Sequence, residues 1–184
     1  ETATFAYLIG QVRGWMEEGF TYNEALQLTG GQTVFFMHTL IGVGIKFFRE
    51  EDVRLGDCIR LYFEQSNNPN VRAQASDVAN QMIHGQELPD GRRLLIKFEE
   101  HPVSAQGPYR NSYSPLQFIV RLIYAYGGTV AAVSQLNAVK TGKFFIDQGI
   151  LTEDEVKRQP VSGVTNGVDH IFWMPPEIKR LMRM

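Results

Sequence analysis

The sequence predicts a mainly α protein with a minor β component, with a helical N-terminal half and a helix-turn-helix or winged-helix-like C-terminal half. Three observations carry this. Apolar residues recur at helical spacing through most segments. A Gly127-Gly128 break divides the apolar stretch 115–149. An Asn166-Gly167 pair, the dipeptide favoured by type I′ hairpin turns, follows that stretch between two β-compatible runs.

Taken in order, Phe5, Leu8, Ile9, Val12, Trp15 and Met16 keep the spacing of an amphipathic helix that Gly19 stops. Thr21 and Glu24 then form a capping box, opening a short helix that should end at Thr29-Gly30-Gly31. Residues 33–48 are apolar on many sides, which predicts a third helix near the centre of the N-terminal core. Capped helix, glycine corner and long helix together make a candidate helix-turn-helix; a plain three-helix core is the alternative. A fourth helix is expected over 52–65, its inner face formed by Val53, Leu55, Cys58, Ile59, Tyr62 and Phe63, with Cys58 as core filler. Residues 66–70 are a turn by composition, and 71–84 read as a polar-rich surface helix anchored by Val78, Met82 and Ile83. The run 92–99 is β-compatible after a Pro89-Asp90-Gly91 turn. Residues 101–114 form a loop between two regions, 1–100 and 115–184, expected to make one compact unit.

The stretch 115–149 carries the most specific pattern. Phe118, Ile119, Leu122 and Ile123 line one face of a first helix, which the two glycines end. Thr129 is placed to cap a second helix with Val130, Val133 and Leu136 inward, and Asn137-Ala138 makes a corner. A third helix from about Val139 has Phe144, Phe145 and Ile146 on its apolar side and Lys140, Thr141, Lys143 and Gln148 as polar candidates, residue types that read DNA grooves. Thr152 and Glu155 form another capping box, starting a short helix that Pro160 stops. The hairpin 161–174, with buried Phe172 and Trp173, would supply the wing, and a terminal helix is expected from Glu177.

Composition bounds the function. The 184 residues are 43% hydrophobic and 21% charged, as in a globular protein, with a net charge of −2. The longest apolar run, 34–48, is interrupted by His38, two glycines and Lys46, so no membrane span is expected. The chain opens at Glu1 with no basic-then-apolar leader, from which no targeting is read. A lone Cys58 excludes an internal disulfide and a multi-cysteine zinc site, and favours a reducing, cytoplasmic setting. His38, His84, His101 and His170 show no metal-ligand spacing, and nucleotide-loop and nucleophile-elbow motifs are absent. No cofactor and no catalytic residue is expected. Local charge points elsewhere: Lys140, Lys143, Lys157, Arg158, Lys179, Arg180 and Arg183 fall in the last quarter, where they could present a positive face to phosphates.

The phrase RLIYAYGGTVAAVSQLNAVKTGKFFIDQG at 121–149 resembles the helix-turn-helix of FlhC-type regulators and of mobile-element and pathogenicity-island replication or regulatory proteins. GQVRGWMEEGFTYNEALQL at 10–28 is also similar to the opening of the mobile-element proteins. The resemblance touches about a third of the chain, discontinuously, and the four-cysteine zinc site of the flagellar regulator has no counterpart here. It implies a transcriptional regulator or a replication or transfer accessory factor that binds double-stranded DNA. On this reading Lys140 and Lys143 meet phosphates or guanines, Thr141 and Gln148 meet base edges, and Lys157 and Arg158 support from beside the hairpin. The alternative is a non-enzymatic interaction or assembly module, homo- or hetero-oligomeric, with Tyr109, Tyr113 and Tyr124 as contact candidates.

Overall fold

A computed structural model describes residues 2–37, 48–49, 55–87, 93–94, 112–113 and 115–164. The described residues are mainly helical, with eight helices and a small three-stranded parallel sheet. Helix α1 (Thr2–Glu17) buries Phe5, Leu8, Ile9, Val12 and Met16 of the predicted stripe, with Trp15 partly buried against the core. Gly19 follows at φ 102°. Helix α2 (Tyr22–Gln32) opens with the predicted capping box, in which Thr21 and Glu24 satisfy each other's backbone N–H groups.

Residues Thr29, Gly30 and Gly31 do not end α2 but lie inside it. The reason is tertiary. Helix α6 (Pro115–Tyr126) crosses so closely that a Cβ on Gly30 would stand 2.6 Å from the Leu122 carbonyl oxygen. A Cβ on Gly128 would likewise meet the carbonyl oxygens of Gly30 and Thr33, the latter at 2.7 Å. Gly30 is therefore a contact point between two backbones and not a helix end, whereas Gly127-Gly128 does end α6, at Tyr126, and Gly128 is a close contact as well. Beyond them, Thr33 accepts a 2.9 Å hydrogen bond at its carbonyl from the Thr129 N–H. This starts a parallel pairing between β1 (Val34–Met37) and β6 (Thr129–Ala132), in register from Val34 with Thr129 to Met37 with Ala132.

Two expected helices are thereby corrected. The long helix over 33–48, and with it the N-terminal helix-turn-helix candidate, gives way to β1 and to β2 (Phe48–Arg49), with 38–47 outside the described residues. In β1, Phe35 and Met37 pack against the core while Val34 and Phe36 face solvent, the two-residue alternation of a strand. The second helix of the central stretch is likewise absent: Thr129 caps nothing and instead opens β6, whose Val130, Ala131 and Ala132 are buried. The central stretch is helix, strand, helix. β-Branched and small residues after Gly127-Gly128 fit a central strand with neighbours on both sides. Those neighbours are β1 and β7 (Ser162–Gly163), so the sheet order is β1-β6-β7, and β7 pairs parallel to β6 with Ala131 opposite Ser162.

After β2 in the chain, α3 (Leu55–Glu64) buries Ile59 and Phe63, whereas Cys58 is exposed and Tyr62 is 38% exposed, correcting their part in the predicted inner face. Val53 lies outside the described residues. The helix expected over 71–84 is two helices, α4 (Pro69–Ala73) and α5 (Ala75–His84), joined at Gln74, which terminates one and starts the next. Val78, Met82 and Ile83 anchor α5 as expected. Short strands β3 (Gln86–Glu87) and β4 (Arg93–Leu94) pair antiparallel, and the remainder of the 92–99 strand lies outside the described residues. β5 (Ser112–Tyr113), in the segment expected to be a loop, pairs antiparallel with β2.

The centre of the molecule is α6. Leu116, Phe118, Ile119, Val120, Leu122 and Ile123 are all fully buried, so the helix is surrounded and not merely faced. Phe5 of α1 meets Phe118 edge to face with ring centroids 5.5 Å apart. The core expected around 33–48 is built around this helix. Helices α7 (Gln135–Asp147) and α8 (Glu153–Arg158) follow β6, and α8 opens with the predicted Thr152 and Glu155 capping box. The Asn166-Gly167 turn, the aromatic strand with Phe172 and Trp173, and the terminal helix from Glu177 lie outside the described residues. Among the described residues, no helix is long and apolar enough to cross a membrane.

Candidate interaction face on helix α7

The sequence places its candidate readers on the helix that the structure defines as α7. It begins four residues earlier than expected. Ser134, in extended backbone, caps it by accepting the Asn137 N–H at 3.2 Å, so Asn137 and Ala138 lie within the first turns and form no corner. Gln135 at its first position donates to the Gly163 carbonyl at 3.3 Å, which ties the start of α7 to β7. At the other end, Gln148 is the C-cap, its N–H bonded to the Phe144 carbonyl at 2.9 Å. Arg121 of α6 donates from Nε to the Ile150 carbonyl and from a terminal nitrogen to the Gly149 carbonyl, each at 3.2 Å. A guanidinium thus satisfies carbonyls just past the helix end, where positive charge is favoured. α7 is held at both ends.

The buried face differs from the one expected. Ala138, Thr141, Gly142 and Phe145 are buried. Thr141 is 5% exposed, so its side chain is buried and is not presented on the outer face. The outward stripe is Leu136, Val139, Lys140, Lys143 and Asp147, residues at helical neighbour spacing. Leu136, expected inside, is 66% exposed and Val139 is 71% exposed. Exposed aliphatics of this extent on a tightly held helix are the feature that sequence reasoning missed. The available signal was Ser134, an N-cap whose recognition sets the phase of the helix.

The cations are largely compensated by their own neighbours. Lys143 Nζ lies 3.0 Å from both carboxylate oxygens of Asp147. Lys157 Nζ lies 3.4 Å from Glu153 and 4.0 Å from Asp154. Such exposed pairs contribute only about 0 to 1 kcal/mol each to stability, yet they cancel the local field that a phosphate would feel. Lys140 and Arg158 are exposed and no carboxylate pairs them among the described residues. Gln148 is half-buried at the cap. The structure therefore brings Lys140 and Lys143 to one face, sets Lys157 and Arg158 on α8, and removes Thr141 to the core. Tyr124, a contact candidate on the assembly reading, is also buried; burial, with the Glu155 carboxylate adding to it, pushes its phenol up to about 12. The side chains of Tyr109 and Tyr113 lie outside the described residues.

No family model, no curated protein and no solved structure matches the chain.

Proposed function

We propose that this chain is a non-enzymatic interaction module that docks a partner protein with the outer face of α7. The observation that carries the reading is the pairing of Leu136 and Val139, both more than half exposed, on a helix secured at both ends. With Lys140 and Lys143 they fall at i, i+3, i+4 and i+7, the anchor spacing of a helix laid into a groove. Lys143 already has Asp147 as its counter-ion, whereas Lys140 has none among the described residues. The matching partner offers an apolar groove with a carboxylate on the rim beside Lys140.

A second copy of the chain fits less well. Each patch carries Lys140 and Lys143 against one Asp147, so two copies meeting face to face would bring like net charge together. Duplex DNA, the reading drawn from the sequence, loses support from the burial of Thr141 and the carboxylates beside Lys143 and Lys157. Lysines that already hold carboxylate partners offer a phosphate little net attraction.

The test uses a photo-crosslinking residue at position 139, with the same residue at exposed Gln27 as control, in extract of the source cell. A defined protein band is expected from position 139 and not from 27. The Leu136→Asp and Val139→Asp double variant should lose it while keeping an unfolding free energy within about 0.5 kcal/mol of wild type, since both sites are exposed. A dimer by light scattering that the double variant abolishes would replace the partner with a second copy. Salt-sensitive duplex binding that Lys140→Ala weakens and the double variant leaves unchanged would restore the DNA reading.

A further inference from the structure

α1, the end of α2 and the start of β1 line a groove of about 230 Å³. Tyr7, Gln11 and Trp15 form one wall, spaced four residues apart so that they share a single face of α1. Thr29, Gln32 and Thr33 form the other. Its position follows from features already described: α2 continues through its glycines to Gln32, and this brings Thr29, Gln32 and Thr33 round to face α1.

Two features mark it as built for a ligand. Thr29 is 3% exposed, and its hydroxyl has no hydrogen-bond partner. A buried hydroxyl left unsatisfied is costly, about 1 to 3 kcal/mol, and is rare in a folded protein. Thr33 spends its own hydroxyl proton on the Thr29 carbonyl at 2.5 Å, leaving its oxygen as an acceptor. In addition, Tyr7 is 63% exposed although it stands on a helix whose other aromatics pack. Trp15 meets Phe20 edge to face at 5.7 Å.

The chemistry of the lining selects the ligand class. The wall residues carry amides, hydroxyls and two aromatic rings, and none is ionisable near neutral pH. A phosphate or carboxylate ligand has no counter-ion here. A proline-rich peptide would offer carbonyl acceptors and few donors, whereas the amide and threonine oxygens need donors too. A sugar ring offers both: hydroxyls that donate and accept toward Gln11, Gln32 and Thr29, and C–H faces that pack on Tyr7 and Trp15. The volume, below the range of about 300 to 1,000 Å³ that holds drug-sized ligands, suits one ring. We propose that this groove binds a neutral saccharide, one residue of it seated between Tyr7 and Trp15.

The experiment is a saturation-transfer and titration NMR series on the full chain, with the methyl glycosides of glucose, galactose, mannose and N-acetylglucosamine and their β-1,4-linked disaccharides as probes. Adenosine and a proline-rich peptide serve as the competing classes. At least one saccharide is expected to bind with a Kd of about 1 mM or tighter. Tyr7→Ala and Gln11→Ala should each weaken it about tenfold or more, and Thr29→Val should weaken it while preserving shape. Gln27→Ala, exposed on the same helix pair, should leave it unchanged. Tyr7 is mostly exposed, so its variant reports on binding and not on folding. The absence of binding by every saccharide at about 10 mM overturns the proposal, as does binding that Tyr7→Ala and Gln11→Ala leave intact, or selective binding of adenosine or the peptide.

Discussion

Glu17 at the end of α1 shows how much one side chain can join. It accepts from Arg13 Nε at 2.9 Å and from the Ser66 hydroxyl, and its backbone carbonyl accepts from Asn68 at 3.2 Å. Arg13 also donates to the Tyr62 carbonyl and lies 4.6 Å over the Tyr62 ring. The Ser66 hydrogen bond first, and then Arg13, hold the Glu17 carboxyl below its ordinary value of 4.5. A lowered folded-state pKa contributes stability that is complete above 4.5 and is lost as pH falls through the lowered value. Glu17→Gln should therefore lower the denaturant midpoint at neutral pH, with the gap to wild type closing under acid conditions. A gap that persists at low pH would mean the loss is one of packing. At Gly128 the constraint is steric. An alanine Cβ there would stand 2.7 Å from the Thr33 carbonyl oxygen, and neither backbone can yield without opening the β1 to β6 junction. Gly128→Ala should cost about 1 to 3 kcal/mol, the range for overpacking, whereas an alanine at open Gly14 should not approach this.

At the scale of elements, what was legible was local. Both capping boxes, Thr21 with Glu24 and Thr152 with Glu155, depend on residues three apart, and each is formed. Thr152→Ala should cost about 1 kcal/mol, measured by chemical denaturation, because it frees the Glu155 N–H and removes the hydroxyl donor to the Glu155 carboxylate, leaving only the backbone N–H of residue 152. The strands were not legible in the same way. A four-residue apolar run has too few positions to separate a strand from a buried helix by period alone. Val34 to Met37 becomes a strand because Thr129 to Ala132 pairs with it, and that partner lies far along the chain. Reading a second helix in place of β6 also put Leu136 on an inward stripe and left Thr141 among the polar candidates, whereas Leu136 is exposed and Thr141 buried. Two of the expected site residues, Lys140 and Lys143, do share an exposed face, since their spacing survives any rotation of the helix.

At the scale of the molecule, α1, α2 and β1 from one side of residues 101–114 share a core with α6, β6 and α7 from the other. Fragments 1–100 and 115–184 should each remain unfolded alone, with poor proton NMR dispersion, because each exposes half of that core. A well-dispersed spectrum from either fragment would show two independent units. Phe118 is the sharpest single probe of the shared core, being fully buried on α6 and in contact with Phe5. Phe118→Ala should cost about 3 to 5 kcal/mol, against about 0.5 kcal/mol or less for the exposed pair Leu136 and Val139.

The sequence by itself determined the mainly helical class, the inward stripe of α1, the extent of α6, and the capped starts of α2 and α8. These rest on periodicity and on bonds between near neighbours, which need no knowledge of the rest of the chain. Only the tertiary structure decided that Gly30 is a contact and not a break, that β1, β6 and β7 form one parallel sheet, and that α6 is the centre. The physical reason is the same in each case. Close backbone approach and parallel pairing are properties of two distant segments together, and neither segment carries a mark of its partner that composition or period can display.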